Sequence, residues 1–199
     1  LDPASGAAHL DFISPEGWGL FGPIEQFNEA GFITAYARGV SGGKPVAWLE
    51  FGVSVGPEPR AVDLQNQARI YDNMFELAAK SRAAACFGWW YPGGFRVDEQ
   101  TDMGVVNPDG TWRPVGEVYR SFAHRLRREK SVPSDWQRRE VDRSTSARGL
   151  SALWDKWREA YRQETSDGRM EEIRPAGFGR WTVDLPVRSI GGTEYRSPA

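Results

Sequence analysis

Cysteine is nearly absent from this chain: Cys86 alone among 199 residues excludes an intrachain disulfide and a cysteine-rich zinc site. It lies in an apolar run, where a buried, inert thiol is expected. Histidine is almost as scarce. His9 falls on a strand-like segment and His124 on a late helical one, so neither a histidine metal site nor a Ser/His/Asp triad assembles. No glycine pattern that cradles phosphate follows a strand, because Gly39, Gly42 and Gly43 precede one. No apolar run approaches the ~20 residues of a membrane-spanning helix, so no membrane insertion of that kind is expected. The chain opens on Leu1-Asp2-Pro3-Ala4, with neither a methionine nor a basic-then-apolar leader. Leu1 is therefore not expected to be the start of a gene product, and the missing leader leaves the compartment open.

Strong net charge is lacking too, but the value of −2 hides an asymmetry. Residues 1–119 carry 8 Lys+Arg against 15 Asp+Glu, and residues 120–164 carry 12 against 7. An acidic, aromatic-rich region is a poor partner for phosphate backbones and a reasonable one for a neutral ligand such as a carbohydrate, so no nucleic-acid partner is expected. The basic run Arg120 to Arg143 alternates in sign and reads as a solvated helix face and linker. What is plentiful is apolar and aromatic content, 40% and 13%, enough for a substantial core in one domain or one and a half.

The most informative stretch is Pro45-Val46-Ala47-Trp48-Leu49-Glu50-Phe51-Gly52. Regular alternation puts Glu50 on one face with Trp48 and Val46, and Ala47 and Leu49 on the other. Apolar residues on both faces predict a parallel strand covered on both sides. A carboxylate at the C-terminal end of such a strand stands where barrel and doubly wound enzymes place catalytic groups. The plain alternative is a rim carboxylate salt-bridged to a neighbouring strand.

Three strand-helix units recur, starting roughly 36 to 38 residues apart. The first is a strand over 9–14, the Pro15-Glu16-Gly17-Trp18 loop and a helix over about 23–39. The second is the Glu50 strand with a helix over about 62–82, where Ile70, Met74, Leu77 and Ala78 keep a 3.6 period. The third is a strand over 83–91, a long loop from Pro92 to Arg113, and a helix striped by Val115, Val118, Tyr119, Phe122 and Leu126. Alternating strands and helices predict a parallel α/β sheet. The spacing compares with ~31 residues per unit in an eightfold β/α barrel, of which three units make only a part.

These segments together resemble the clan A retaining glycoside hydrolases, with the family 5 cellulase-like enzymes nearest. Lys44 to Gly52 resembles their seventh strand, which ends in the nucleophilic glutamate, and Ala85-Cys86-Phe87-Gly88-Trp89-Trp90-Tyr91 resembles the eighth, which ends in a sugar-stacking tryptophan. Asp102 to Pro114, with its Asp109-Gly110 turn, is similar to the approach to the last helix. The resemblance covers about residues 7–128. It implies the C-terminal three βα units, strands 6 to 8, of a (β/α)8 TIM barrel over residues 1–130. Residues 131–199 lie beyond it and read as a post-barrel helix, Ser151 to Arg162, followed either by the start of an accessory β region, in which Trp181 to Ile190 alternates, or by a flexible tail.

The activity implied is hydrolysis of O-glycosidic bonds by retaining double displacement, with Glu50 as nucleophile and a second carboxylate about 5 to 5.5 Å away. A secreted or periplasmic enzyme is favoured by the resemblance, with the cytoplasm still open. An oligo- or polysaccharide substrate is the partner, no cofactor is called for, and no oligomeric state is specified. In this clan the acid/base glutamate follows an asparagine at the end of strand four, roughly 90 residues upstream at ~31 per unit. Asn28-Glu29 lies only 21 residues before Glu50, in helix-start sequence, and reads as ordinary helix surface. The acid/base group is then absent, and these residues alone are expected to be inactive. Substrate-binding candidates are Trp90 ahead of Trp89, which strand alternation sends to opposite sides; Trp18 as a cleft wall, where the family often has His-x-Tyr; Glu16; and Arg96 and Glu99, with Asp98, in the long loop. The rival from another class is a non-catalytic carbohydrate-binding or scaffold protein on the same fold.

Overall fold

The Glu50 segment forms β1 (Ala47–Phe51), which pairs in parallel with β2 (Ala85–Gly88). The structure, a computed structural model, describes residues 3, 6–18, 28–128, 137–142, 153–159 and 171–176. Between the strands runs α2 (Ala61–Lys80), and α1 (Asn28–Val40) and α3 (Pro114–Arg128) precede β1 and follow β2. The second and third predicted units are thus present, with β2 shorter than the 83–91 expected.

The first unit departs from expectation. Residues 9–14 are no regular strand: a 3-10 turn spans Ala7–His9, and the chain then pairs with β1 and the residue before it through single parallel bridges, Ile13 to Val46 and Glu16 to Glu50. Pro15, which has no N–H to donate, falls between the two bridges. The Ile13 amide donates to the Pro45 carbonyl and the Ala47 amide to that of Ile13, each at 2.9 Å, so the segment still runs parallel to β1.

Helices cover one face of this sheet. Trp48, fully buried, donates its indole N–H to Thr34 Oγ1 on α1 at 2.9 Å, and that hydroxyl donates to the Ala30 carbonyl at 2.7 Å. Phe51 meets Tyr71 at 4.6 Å with the rings tilted by 47° and meets Phe75 edge-on at 5.5 Å, both on α2. Phe75 continues to Tyr119 and Phe122 of α3, so one aromatic ladder joins β1, α2 and α3. Cys86 packs beside it, and burial pushes its thiol up to about 12, as befits an inert residue. The other face is not covered as the sequence predicted: Phe12, Leu49 and Phe87 stand 43%, 42% and 56% exposed there.

The start of α2 is fixed locally. Asp63 accepts from the Arg60 backbone amide at 3.0 Å and from its guanidinium at 2.9 Å, which occupies an orphan donor of the first turn and holds the carboxyl down to about 2.

The basic run does not stay a helix and linker. Residues Gln137–Asp142 form β3, paired in parallel with β4 (Glu171–Ala176), which lies against α1. The run reads as helical because its charges alternate, yet strand pairing with residues 34 positions away decides its state. Of the predicted 151–162 helix, residues 153–159 are helical, and Trp154 packs on Phe32 of α1 at 5.5 Å. The expected strand over 181–190 lies outside the described residues. Among the described residues no helix is long and apolar enough to cross a membrane, and no group of three or more His, Cys, Asp or Glu is placed to hold a metal.

Candidate functional site

The site gathers where β1 and β2 end. In β1 the register slips by one residue: Trp48 pairs with Cys86, but Phe51 pairs with Gly88, so three steps on one strand match two on the other. This is a β-bulge, and it re-aims a side chain. Trp48 and Phe51, both buried, face the helices, so Glu50, next to Phe51, points away from them and onto the face that carries Leu49. Regular alternation put Glu50 on the Trp48 face; the extra residue reverses that.

The loop after the Ile13 bridge comes to this carboxylate. The Gly17 amide donates to the Glu50 carbonyl at 2.8 Å, and the Trp18 indole N–H donates to Glu50 Oε2 at 3.3 Å. Glu16 is exposed and sits beside Glu50 in the parallel bridge. A Cβ on Gly17 would meet the Phe51 Cβ at 2.6 Å, so only glycine lets the loop lie this close. The expected result for Gly17→Ala is loss of the Trp18–Glu50 contact, seen as a shift in indole emission, with a stability cost of about 1 to 3 kcal/mol from forced displacement. An unchanged emission spectrum in the folded variant would disprove this.

Trp89 and Trp90 do not point to opposite sides. The strand ends at Gly88, so alternation no longer governs them; their rings lie 4.6 Å apart at 44°, and the peptide between them is cis. The Trp89 amide donates to the Phe51 carbonyl at 2.7 Å, and the Trp89 carbonyl accepts from the Tyr71 hydroxyl at 2.7 Å. A Cβ on Gly52 would come within 2.5 Å of that carbonyl, so the two strand ends are in direct backbone contact. Trp90, 37% exposed, carries the Arg96 guanidinium over its ring at 5.1 Å. Arg96 in turn pairs with Glu99 at 2.6 Å, so Arg96 alone of these loop residues lies on Trp90 and Glu99 holds Arg96, while Asp98 faces solvent.

Glu29 stands on the first turn of α1, half-buried rather than on open surface. Burial, and then the neighbouring carboxylate of Asp155, raise its carboxyl above the ordinary range.

No local pattern in the sequence marks one further group. Asp102 and Arg113 form a bidentate ion pair, both contacts at 2.8 Å, with side chains 3% and 1% exposed. Burial raises the Asp102 carboxyl, but hydrogen bonds from Arg113 and Gly104 outweigh it and hold the group below its usual range. Its two members are 11 residues apart in a loop, a spacing with no periodicity to read.

No protein-family model matches the sequence, and no curated protein matches it. By structure the chain is similar to GH5_18 from Streptomyces cattleya, solved in complex with Manb1-4GlcNAc as an alanine variant: TM-score 0.66, 17% identity, 87% of this chain and 46% of that one covered. It is similar to GH5_18 from Bifidobacterium longum subsp. infantis at TM-score 0.65 and 13% identity, over 87% of this chain and 45% of that one. It also matches the beta-galactosidase of the psychrophilic Marinomonas ef1, at TM-score 0.53 and 14% identity, over 88% and 32%. The chain thus spans about half the length of the GH5_18 structures. At these identities the likeness is one of fold: an α/β architecture similar to part of the family 5 TIM-barrel glycoside hydrolases.

Proposed function

We propose that residues 1–130 are the C-terminal three βα units, strands 6 to 8, of a (β/α)8 retaining glycosidase whose nucleophile is Glu50. The observation that carries this reading is the aim of Glu50: a carboxylate at the end of a parallel strand, turned by a bulge to the face away from the helices and held by the Trp18 indole. In a retaining mechanism this carboxylate attacks the anomeric carbon as a second carboxyl group, about 5 to 5.5 Å away, protonates the departing oxygen. Water then hydrolyses the glycosyl ester with the second group as base. Trp90 offers an aromatic surface to the apolar side of a sugar ring, and Trp18, bonded to Glu50, serves as a cleft wall. The open sheet face and the half-length match support a barrel whose remaining strands, with the acid/base residue, lie in a longer protein. The described parts of the region after residue 130 pack on α1, through Trp154 against Phe32 and through β4, which supports reading it as appended to the barrel portion.

The complex of the Streptomyces cattleya neighbour with Manb1-4GlcNAc makes a β-mannosyl sugar the first probe. The test, on the longer protein that carries the remaining strands, uses a 2-deoxy-2-fluoro-β-mannoside with a dinitrophenolate leaving group, which departs without protonation and so reports on the nucleophile alone. Peptide mapping is expected to find one sugar adduct, on Glu50, and none in Glu50→Gln. Labelling elsewhere overturns the assignment, and binding of Manb1-4GlcNAc without any adduct supports the non-catalytic rival.

A further inference from the structure

Between the strand end that carries Glu50 and the segment that carries Trp90 lies a strap, residues 102–106, bonded to both. On one side the Asp102 amide donates to Ser54 Oγ at 3.0 Å, and the Val55 amide donates to the Asp102 carbonyl at 2.9 Å. On the other, the Trp90 amide donates to the Met103 carbonyl at 3.4 Å, and the Val105 amide to the carbonyls of Trp90 and Tyr91 at 3.2 and 3.0 Å. Met103 also lies against Gly52, where an added Cβ would meet its sulfur at 3.0 Å. The strap is neither helix nor strand, so its shape must be imposed from within.

Arg113 imposes it. The guanidinium binds both Asp102 oxygens at 2.8 Å, the Gly104 carbonyl at 3.2 Å and Asn107 Oδ1 at 2.9 Å, while its own amide donates to the Val105 carbonyl at 3.1 Å. Asp102 closes the ring by accepting from the Gly104 amide at 3.2 Å. One buried fork thereby spans the strap from its first residue to the turn beyond it. Only a planar guanidinium presents donors in this arrangement, and lysine does not.

We infer that the Asp102–Arg113 pair is a positioning device that fixes the Trp89–Trp90 indoles relative to Glu50 and so sets the geometry of the sugar site. The inference rests on the glycosidase reading for its functional meaning, and on the hydrogen-bond network alone for its structural content. Asp102 and Arg113 touch no substrate in this scheme; they act through Trp90.

Two indoles 4.6 Å apart at 44° couple their transition dipoles and give an exciton couplet in circular dichroism, identified by its loss in Trp89→Phe. In the full chain, Arg113→Lys keeps the charge and removes the fork. The expected result is unchanged helical content, a couplet reduced by about half or more, and affinity for Manb1-4GlcNAc lowered about ten-fold or more, the low end of what losing an orienting partner costs at structured sites. Should Arg113→Lys not fold, Asn107→Ala removes a single acceptor from the guanidinium and is expected to change both readouts in the same direction, less far. A folded Arg113→Lys, or in its place a folded Asn107→Ala, with the wild-type couplet overturns the inference, whatever the sugar does. Failure of the longer wild-type protein, which carries the remaining strands, to bind the disaccharide counts instead against the glycosidase reading, and the couplet still decides the positioning claim.

Discussion

Replacing Arg113 by methionine is expected to destabilise the chain by about 3 to 5 kcal/mol, because it leaves the Asp102 carboxylate buried and unpaired. The side chains are 1% and 3% exposed, so water does not take the place of the missing donors. The same substitution at an exposed pair, such as Arg60–Asp63, leaves a carboxylate that water solvates, so little stability is lost. The sign of the pH dependence gives a second check. In the wild type the Asp102 carboxyl is held below its ordinary range, so the pair's contribution is complete above the unfolded value of about 3.9 and is lost as pH falls through the lower folded value. In Arg113→Met burial acts unopposed and raises the carboxyl, so protonation relieves the buried charge and stability recovers as the pH is lowered. Urea titrations of both proteins across the acid range measure this. A loss below about 1 kcal/mol, or parallel acid limbs in the two proteins, would show that the pair carries little of the fold.

Phe51→Ala is expected to cost about 3 to 5 kcal/mol, for a different reason. Phe51 is 1% exposed and meets Tyr71 and Phe75 at 4.6 and 5.5 Å, so truncation opens a cavity where β1 joins α2. The cavity lies directly behind Glu50, and Tyr71, whose hydroxyl holds the Trp89 carbonyl, forms one wall of it. The variant therefore tests core and site together: a lower urea midpoint should come with a weakened Trp89–Trp90 couplet. A lower midpoint with an intact couplet would mean that the strand ends hold their geometry without the aromatic ladder.

The helices were readable because each carries its own evidence. Apolar residues such as Met74 and Ala78, or Val118 and Phe122, recur at the helical period, and α3 begins on Pro114. The Glu50 strand was readable from a short apolar run between turn signals. Where the local signal and the pairing partner disagreed, the reading failed. Residues 9–14 have the composition of a strand and make only isolated bridges, and residues 137–142 have the charge pattern of a helix surface and are a strand. Glu50, Trp18 and Trp90 could be singled out as candidates in the sequence because each lies where a strand ends or a loop opens. How those members meet was not legible there.

The sequence by itself determined which residues pack and which stand at the ends of strands, because periodicity and turn chemistry act within a few residues. Tertiary structure alone decided three things. The bulge that turns Glu50 away from the helices depends on register with β2, more than thirty residues on. The contact between Trp89 and Trp90 arises where the ladder stops and alternation no longer applies. The Asp102–Arg113 fork exists because burial makes a complete set of hydrogen bonds the low-energy choice for two charges, a condition no local pattern encodes.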